Sequence, residues 1–153
     1  MAIIDEIQEI NMDGFQVVSV DMFSHYMRND LPMITLWNTH ISFSKAAVHA
    51  LNNCERVRME VNTKTKGILL VPVSMKDKDG IKWMGTGKTP YGRKLECRAF
   101  TEALFDSWHW DKKRVYRTKG RIVTSDSKIM LFFDFSSPES WIFKSKTQVH
   151  KHE

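Results

Sequence analysis

The chain has 153 residues and a formal net charge of +5, and 42% of its residues are hydrophobic, including nine Phe, five Trp and three Tyr. This content is enough to build a core, which excludes global disorder. No stretch approaches the roughly 20 apolar residues of a membrane span, and the N-terminus lacks a basic region followed by an apolar run. Cys54 and Cys97 have no CxxC spacing. We therefore expect free thiols and a cytoplasmic location, although a disulfide between these two cysteines remains an alternative.

The charge is distributed unevenly along the chain. Residues 1–14 contain Asp5, Glu6, Glu9 and Asp13 and no basic residue, a charge of −4, so the rest of the chain carries +9. A basic domain with clustered Lys and Arg residues is a candidate for a polyanionic partner.

The first segment, residues 1–14, is predicted to form an N-terminal helix. Ile3, Ile4, Ile7 and Ile10 recur at helical spacing, and Gly14 is a suitable stop. Such a helix either caps the core or serves as a dimerisation or docking element, and the first of these is the commoner use of an apolar stripe.

The next segment, residues 15–75, is predicted to be a β-rich unit. Residues 15–20 and 33–37 read as strands, and residues 24–32 as a loop. Within 41–73, Ile41 and Phe43 alternate as a strand and Ser44 is placed to cap a short helix. Val57, Met59 and Val61 alternate again, and the polar turn 62–67 before the apolar run 68–73 then predicts a β-hairpin.

Residues 41–73 resemble the swapped-hairpin DNA-binding domain of the AbrB and SpoVT transition-state regulators. The resemblance is carried by Ile41, Phe43, Lys45, Leu51, Val57, Val61, Ile68, Leu70 and Pro72. It departs from that family at Ser44, where a proline is usual, and at Asn52-Asn53, where a glycine is usual. The whole chain also resembles small proteins carried by phages and integrative elements of Gram-positive bacteria, some encoded near site-specific recombinases. These resemblances imply DNA binding in a mobile element.

Residues 76–94 are predicted to form a flexible basic loop. The sequence GTGKT within it suggests a phosphate-binding loop, but that motif requires a glycine where Lys82 stands and a helix immediately afterwards. Pro90 biases the preceding residue toward extended geometry. We therefore expect no nucleotide site here.

Residues 95–136 are predicted to form a second β-rich unit. A short strand, an apolar helical face at Phe100, Leu104 and Phe105, and two strands around residues 124–127 repeat the order of the first unit about fifty residues later. Residues 137–153 are predicted to form a C-terminal helix and tail, with Ser137 as the cap and Pro138 at the first helical position.

The strongest chemical feature is the basic run KKRVYRTKGR at 112–121. Alternation places Arg117, Lys119 and Arg121 on one face of a strand, about 6.7 Å apart, which is close to the spacing of successive phosphates. A glycine at 120 favours a bulge that would interrupt this row, and a solvated basic face is the alternative to a binding site. The candidate DNA-binding residues are Lys45, Arg93, Lys94, Arg98, Lys112, Lys113, Arg114, Arg117, Lys119 and Arg121.

The expected fold is β-rich α+β, with two related strand–helix–hairpin units packed together and a short helix near each terminus. No enzyme motif, metal-ligand spacing or dinucleotide loop occurs in the sequence, so we expect no catalysis, cofactor or metal. The first functional hypothesis is a DNA-binding accessory protein of a phage or mobile element, either a regulator or a recombinase partner, acting as a monomer or homodimer. The alternative is a module that docks on a protein of the host or the element.

Overall fold

The computed structural model describes residues 8–18, 31–85 and 91–143. The described residues contain two helices, α1 (Lys45–Ala50) and α2 (Arg98–Ser107). The strands are β1 (Met33–Leu36), β2 (His40–Phe43), β3 (Arg56–Asn62), β4 (Gly67–Pro72), β5 (Ile81–Lys82), β6 (Met84–Gly85), β7 (Tyr91–Gly92), β8 (Lys94–Glu96), β9 (Arg114–Ser125), β10 (Lys128–Asp134) and β11 (Glu139–Ile142).

Nine of these strands form one curled antiparallel sheet that resembles half of a barrel. Its order is β5-β3-β4-β10-β9-β1-β2-β8, and β11 pairs with β9. Strands β6 and β7 form a separate two-stranded ribbon. Because β9 pairs with β1 along one side and with β10 and then β11 along the other, this long strand joins the two halves of the sheet.

The core lies on one face of the sheet, which we call the inner face. Leu36 and Tyr116 are cross-strand partners there, as are Leu70 and Leu131, so alternation along each strand brings every second residue to this side. Helix α2 covers part of this face. Its Phe105 is fully buried and makes an edge-to-face contact with Tyr116, with ring centroids 5.5 Å apart.

The expectation of two packed strand–helix–hairpin units is wrong. Strands, helices and hairpins do follow one another in the expected order, but β2 pairs with β8 and β4 pairs with β10. Backbone hydrogen bonds therefore run continuously from one half to the other. The apolar faces merge into one core, and neither half has a separate one.

The expected terminal helices are also wrong for the residues that the structure describes. Residues 139–142 form β11, because the edge of β9 beyond β10 is available to hydrogen bond with them. Residues 8–14 are not helical and 15–18 are not a strand. The remaining parts of those predictions, residues 1–7, 19–20 and 144–153, lie outside the described residues.

Helix α1 begins as the sequence predicts. The Ser44 hydroxyl accepts a hydrogen bond from the Ala47 N–H (3.2 Å) and donates to the Leu31 carbonyl (3.0 Å). The helix is followed by Asn52 and Asn53, both with φ of 56°. Asparagine tolerates this left-handed conformation better than most residues, which explains how these two residues turn the chain after the helix.

The segment 76–94 contains β5, β6, β7 and the start of β8, and it contributes to the core. Trp83 is fully buried, and its indole N–H donates to the Cys54 carbonyl at 2.8 Å. Residues 86–90, which include most of the GTGKT sequence, lie outside the described residues.

Candidate nucleic-acid interface

The far ends of β9 and β10 project beyond the sheet as a two-stranded ribbon, residues 121–130. Strand β1 pairs with β9 at residues 116–119, and β4 pairs with β10 at 131–134. Beyond those positions β9 and β10 pair only with each other among the described residues. Asp126 and Ser127 both have positive φ (50° and 66°), as the two-residue turn of a tight hairpin requires.

The ribbon exposes a basic side and an apolar side. Cross-strand pairing places the exposed Arg121 and Lys128 on one face, together with the partly buried Val123 and Met130. On the other face, Ile122 is 55% exposed and Ile129 is 43% exposed. Large apolar side chains usually become buried on folding, so two exposed isoleucines on one projecting element suggest a contact surface.

The base of the ribbon holds Arg121 in a defined position. Its guanidinium lies over the Phe132 ring, 5.1 Å from the centroid. Asp134 lies on the same strand as Phe132, and its carboxylate accepts a hydrogen bond from the Ser136 N–H (2.9 Å). This hydrogen bond lowers the pKa of Asp134, and the positive charge of Arg121 lowers it further. The stacked arginine keeps its charge near the protein surface, where a phosphate can reach it.

The predicted row of three exposed cations is wrong at Arg117. This side chain is on the same face of β9 as Lys119 and Arg121, but the residue is only 1% exposed. Its guanidinium pairs with Glu139 (Nη2–Oε2 2.6 Å) and lies 5.0 Å from the centroid of the Trp141 ring. Strand β11 supplies both partners, so a buried ion pair replaces the expected phosphate contact. Lys119 and Arg121 are exposed.

Gly120 does not break β9. The strand is continuous from Arg114 to Ser125, and Gly120 lies directly opposite Phe133 on β10. A Cβ atom at position 120 would lie 2.7 Å from the Phe133 ring, so the buried ring occupies the space that a side chain would need. The glycine therefore serves packing, and the bulge expected from the sequence is absent.

The other predicted DNA-binding residues do not form one row with Lys119 and Arg121. Arg114 is half-buried and donates from Nε to the Ser140 hydroxyl at 2.9 Å. Lys112 pairs with Asp106 (3.6 Å), and Lys94 pairs with Glu96 (3.4 Å) on β8, three strands away from β9. The remaining four are exposed at separate places, in α1, before β8, in α2 and before β9: Lys45, Arg93, Arg98 and Lys113.

Sequence reasoning missed Lys128, Ile122 and Ile129. Lys128 stands outside the basic run, and a large apolar residue in a strand, such as Ile122 or Ile129, normally indicates a buried position. The Asp126-Ser127 turn was the signal in the sequence that could have identified Lys128. A two-residue turn sets the register of the two strands, and that register places Lys128 on the same face as Arg121.

The described residues contain no group of three or more His, Cys, Asp or Glu side chains that could hold a metal ion. His40 stacks on Trp37 with ring centroids 4.2 Å apart, and its Nδ1 lies 2.8 Å from the Thr39 hydroxyl. Burial, with the nearby charge of Lys94, lowers the pKa of His40. This imidazole therefore belongs to the packing of the sheet.

Comparison with protein-family models, with curated proteins and with solved structures found no match to this chain. Within the ranges that the structure describes, no helix is long and apolar enough to cross a membrane.

Proposed function

We propose that the protein is a DNA-binding accessory protein of a phage or mobile element, acting in the bacterial cytoplasm as a transcriptional regulator or a recombinase partner. The observation that carries the proposal is the projecting ribbon of residues 121–130, with exposed cations on one face and exposed isoleucines on the other.

The dimensions of the ribbon suit a groove of duplex DNA. Two paired strands are about 4.8 Å apart, and the major groove, about 12 Å wide, admits a two-stranded ribbon. Lys119, Arg121 and Lys128 would contact phosphates and fix the orientation of the ribbon. Ile122 and Ile129 would contact the groove, where apolar side chains bind thymine methyl groups or wedge between base steps.

The overall charge supports this assignment. The chain carries +5 and has a pI of about 9.2, and such a balance favours association with a polyanion. The resemblance of residues 41–73 to AbrB-type domains points to the same class of partner. In this proposal the 41–73 segment supplies part of the sheet that supports the ribbon, and the contacts to DNA come from β9 and β10.

The salt dependence of DNA binding tests the proposal. We expect the double variant Arg121→Glu/Lys128→Glu to bind a short duplex more weakly than the parent. Because each lost phosphate contact removes about 0.9 from the slope of log affinity against log salt, two contacts should flatten that slope by roughly 1.8. Fluorescence anisotropy with a labelled duplex over a range of salt concentrations measures both quantities.

The matched control is Lys76→Glu/Lys78→Glu, which reverses two exposed lysines in the loop between β4 and β5 and changes the net charge equally. The control should keep most of the affinity. Equal losses in the two variants would show that only net charge matters. A parent protein with no affinity for DNA even at low salt would remove the proposal and favour the protein-docking alternative.

A further inference from the structure

The curled sheet leaves an open groove between its two edge strands, β5 and β8. The cavity has a volume of about 660 Å³. Its floor and walls come from the inner face and α2, and its rim carries charged residues of the β8 segment. The apolar lining consists of Ile41, Met59, Ile81, Leu95, Cys97 and Phe100, and the charged residues are Arg93, Lys94 and Glu96.

Both edges of this groove can accept a further strand. Among the described residues β8 pairs only with β2, and β5 pairs only with β3. An edge strand presents main-chain N–H and C=O groups that an extended segment can bind, with alternate side chains entering the apolar cleft. We call this open region between β5 and β8 the seam.

The same chain has an apolar segment whose large side chains are exposed. In residues 8–18, Ile10 and Phe15 are each 68% exposed and Val17 is 98% exposed. A turn closed by the Phe15 N–H and the Met12 carbonyl (3.2 Å) separates two short stretches that are neither helix nor strand. Glu9 and Asp13 are the charged residues of this segment, so its charge is −2. Five of the eleven residues in this segment are large, apolar and exposed. Such a cluster differs from the single exposed apolar residues that are normal on a protein surface, and it is typical of a contact surface.

We propose that residues 8–18 of one copy insert into the seam of a second copy. Phe15 and Val17 alternate and would enter the apolar cleft, while the acidic residues would face Arg93 and Lys94 at the rim. Twelve residues separate Val18 from Leu31, and the thirteen Cα-to-Cα steps between those two residues could span at most about 45 Å, which is enough to reach a neighbouring molecule. Reciprocal insertion gives a two-fold dimer whose subunits each keep a complete core.

Intermolecular cross-linking tests this contact. In a Cys54→Ser background, Cys97 is the remaining cysteine and lies in the seam. We expect Val17→Cys to form a disulfide-linked dimer when the protein is oxidised with diamide. The reaction is run near pH 8.5, because burial raises the pKa of the Cys97 thiol. Mass spectrometry of a mixture of ¹⁴N- and ¹⁵N-labelled protein should show mixed-isotope peptides that join residues 17 and 97.

Thr124→Cys in the same background is the control, since residue 124 is exposed on the ribbon, away from the seam. It should form no more than one tenth of the dimer that Val17→Cys forms. Linked peptides of a single isotope would show that the segment occupies the seam of its own chain, and equal dimer yields from both variants would show random collision. Either result overturns the proposal. The DNA-binding proposal is unaffected, because Arg121 and Lys128 lie outside this contact.

Discussion

At the scale of single residues, Arg117 shows that an arginine in a basic strand can stabilise the fold and need not contact an external ligand. Alternation along β9 puts it on the same face as Lys119 and Arg121. Strand β11 then covers that position with Glu139 and Trp141. A charge that has lost its water needs a partner, and the carboxylate at 2.6 Å provides one. The two neighbouring cations are exposed and can meet an external anion.

Removing the arginine should therefore destabilise the fold. We expect Arg117→Ala to lower the free energy of unfolding by about 2–3 kcal/mol, because it leaves Glu139 without this partner and removes a side chain buried in the sheet. The value lies toward the lower end of the range for buried pairs, since the Glu139 side chain is 30% exposed. Urea denaturation measures the change.

The control is Lys119→Ala on the same strand, which should change stability by less than about 1 kcal/mol because the side chain is exposed. If Arg117→Ala were as stable as Lys119→Ala, the burial of the ion pair would be contradicted.

At the scale of elements, β9 and β10 combine a buried half with a projecting half. Two aromatic side chains cover glycines in this region. Phe133 covers Gly120 on the inner face, and Phe132 covers Gly67 on the outer face. An aromatic ring over a strand glycine restores the packing that the missing side chain would give. These contacts anchor the ribbon where it leaves the sheet.

The contact between Gly120 and Phe133 predicts the effect of a small substitution. Gly120→Ala reduces the entropy of the unfolded chain, which on its own favours folding by about 0.4–1 kcal/mol. The new methyl group would lie 2.7 Å from a fully buried ring, and overpacking of this kind costs about 1–3 kcal/mol. Since the second effect is larger, the variant should lose about 1–2 kcal/mol in thermal or urea unfolding.

Thr124→Ala, on the same face of β9 but in the exposed ribbon, should change stability by less than about 0.5 kcal/mol. A Gly120→Ala protein that is more stable than the parent would show that the ring of Phe133 can move aside.

At the scale of the whole molecule, local signals in the sequence predict elements but not how they join. The Ser44 cap, the alternation in β2 and β3, the apolar run of β4 and the turn chemistry of 62–67 act within a few residues, and those elements lie where the sequence places them. The pairing of β10 with β4 and of β2 with β8 depends on contacts between residues 52 to 67 positions apart, which no short pattern encodes.

The same distinction explains what was predicted of the candidate site. The basic run located β9, and alternation correctly placed three cations on one face. The burial of Arg117 depends on β11, whose Ser137-Pro138 start reads locally as a helix. The exposure of Ile122 and Ile129 depends on β1 and β4 ending before the ribbon does, which is a property of the whole sheet.

The central claim is that residues 121–130 contact DNA, and titration of the ¹⁵N-labelled protein with a short duplex at low salt tests it most directly. We predict that the largest changes in amide chemical shift fall in residues 119–130, with Arg121 and Lys128 among them, and that residues 74–80 change little. Two results would contradict the claim. One is a set of chemical-shift changes that saturate with added duplex but fall outside residues 119–130, and the other is the absence of any saturable change.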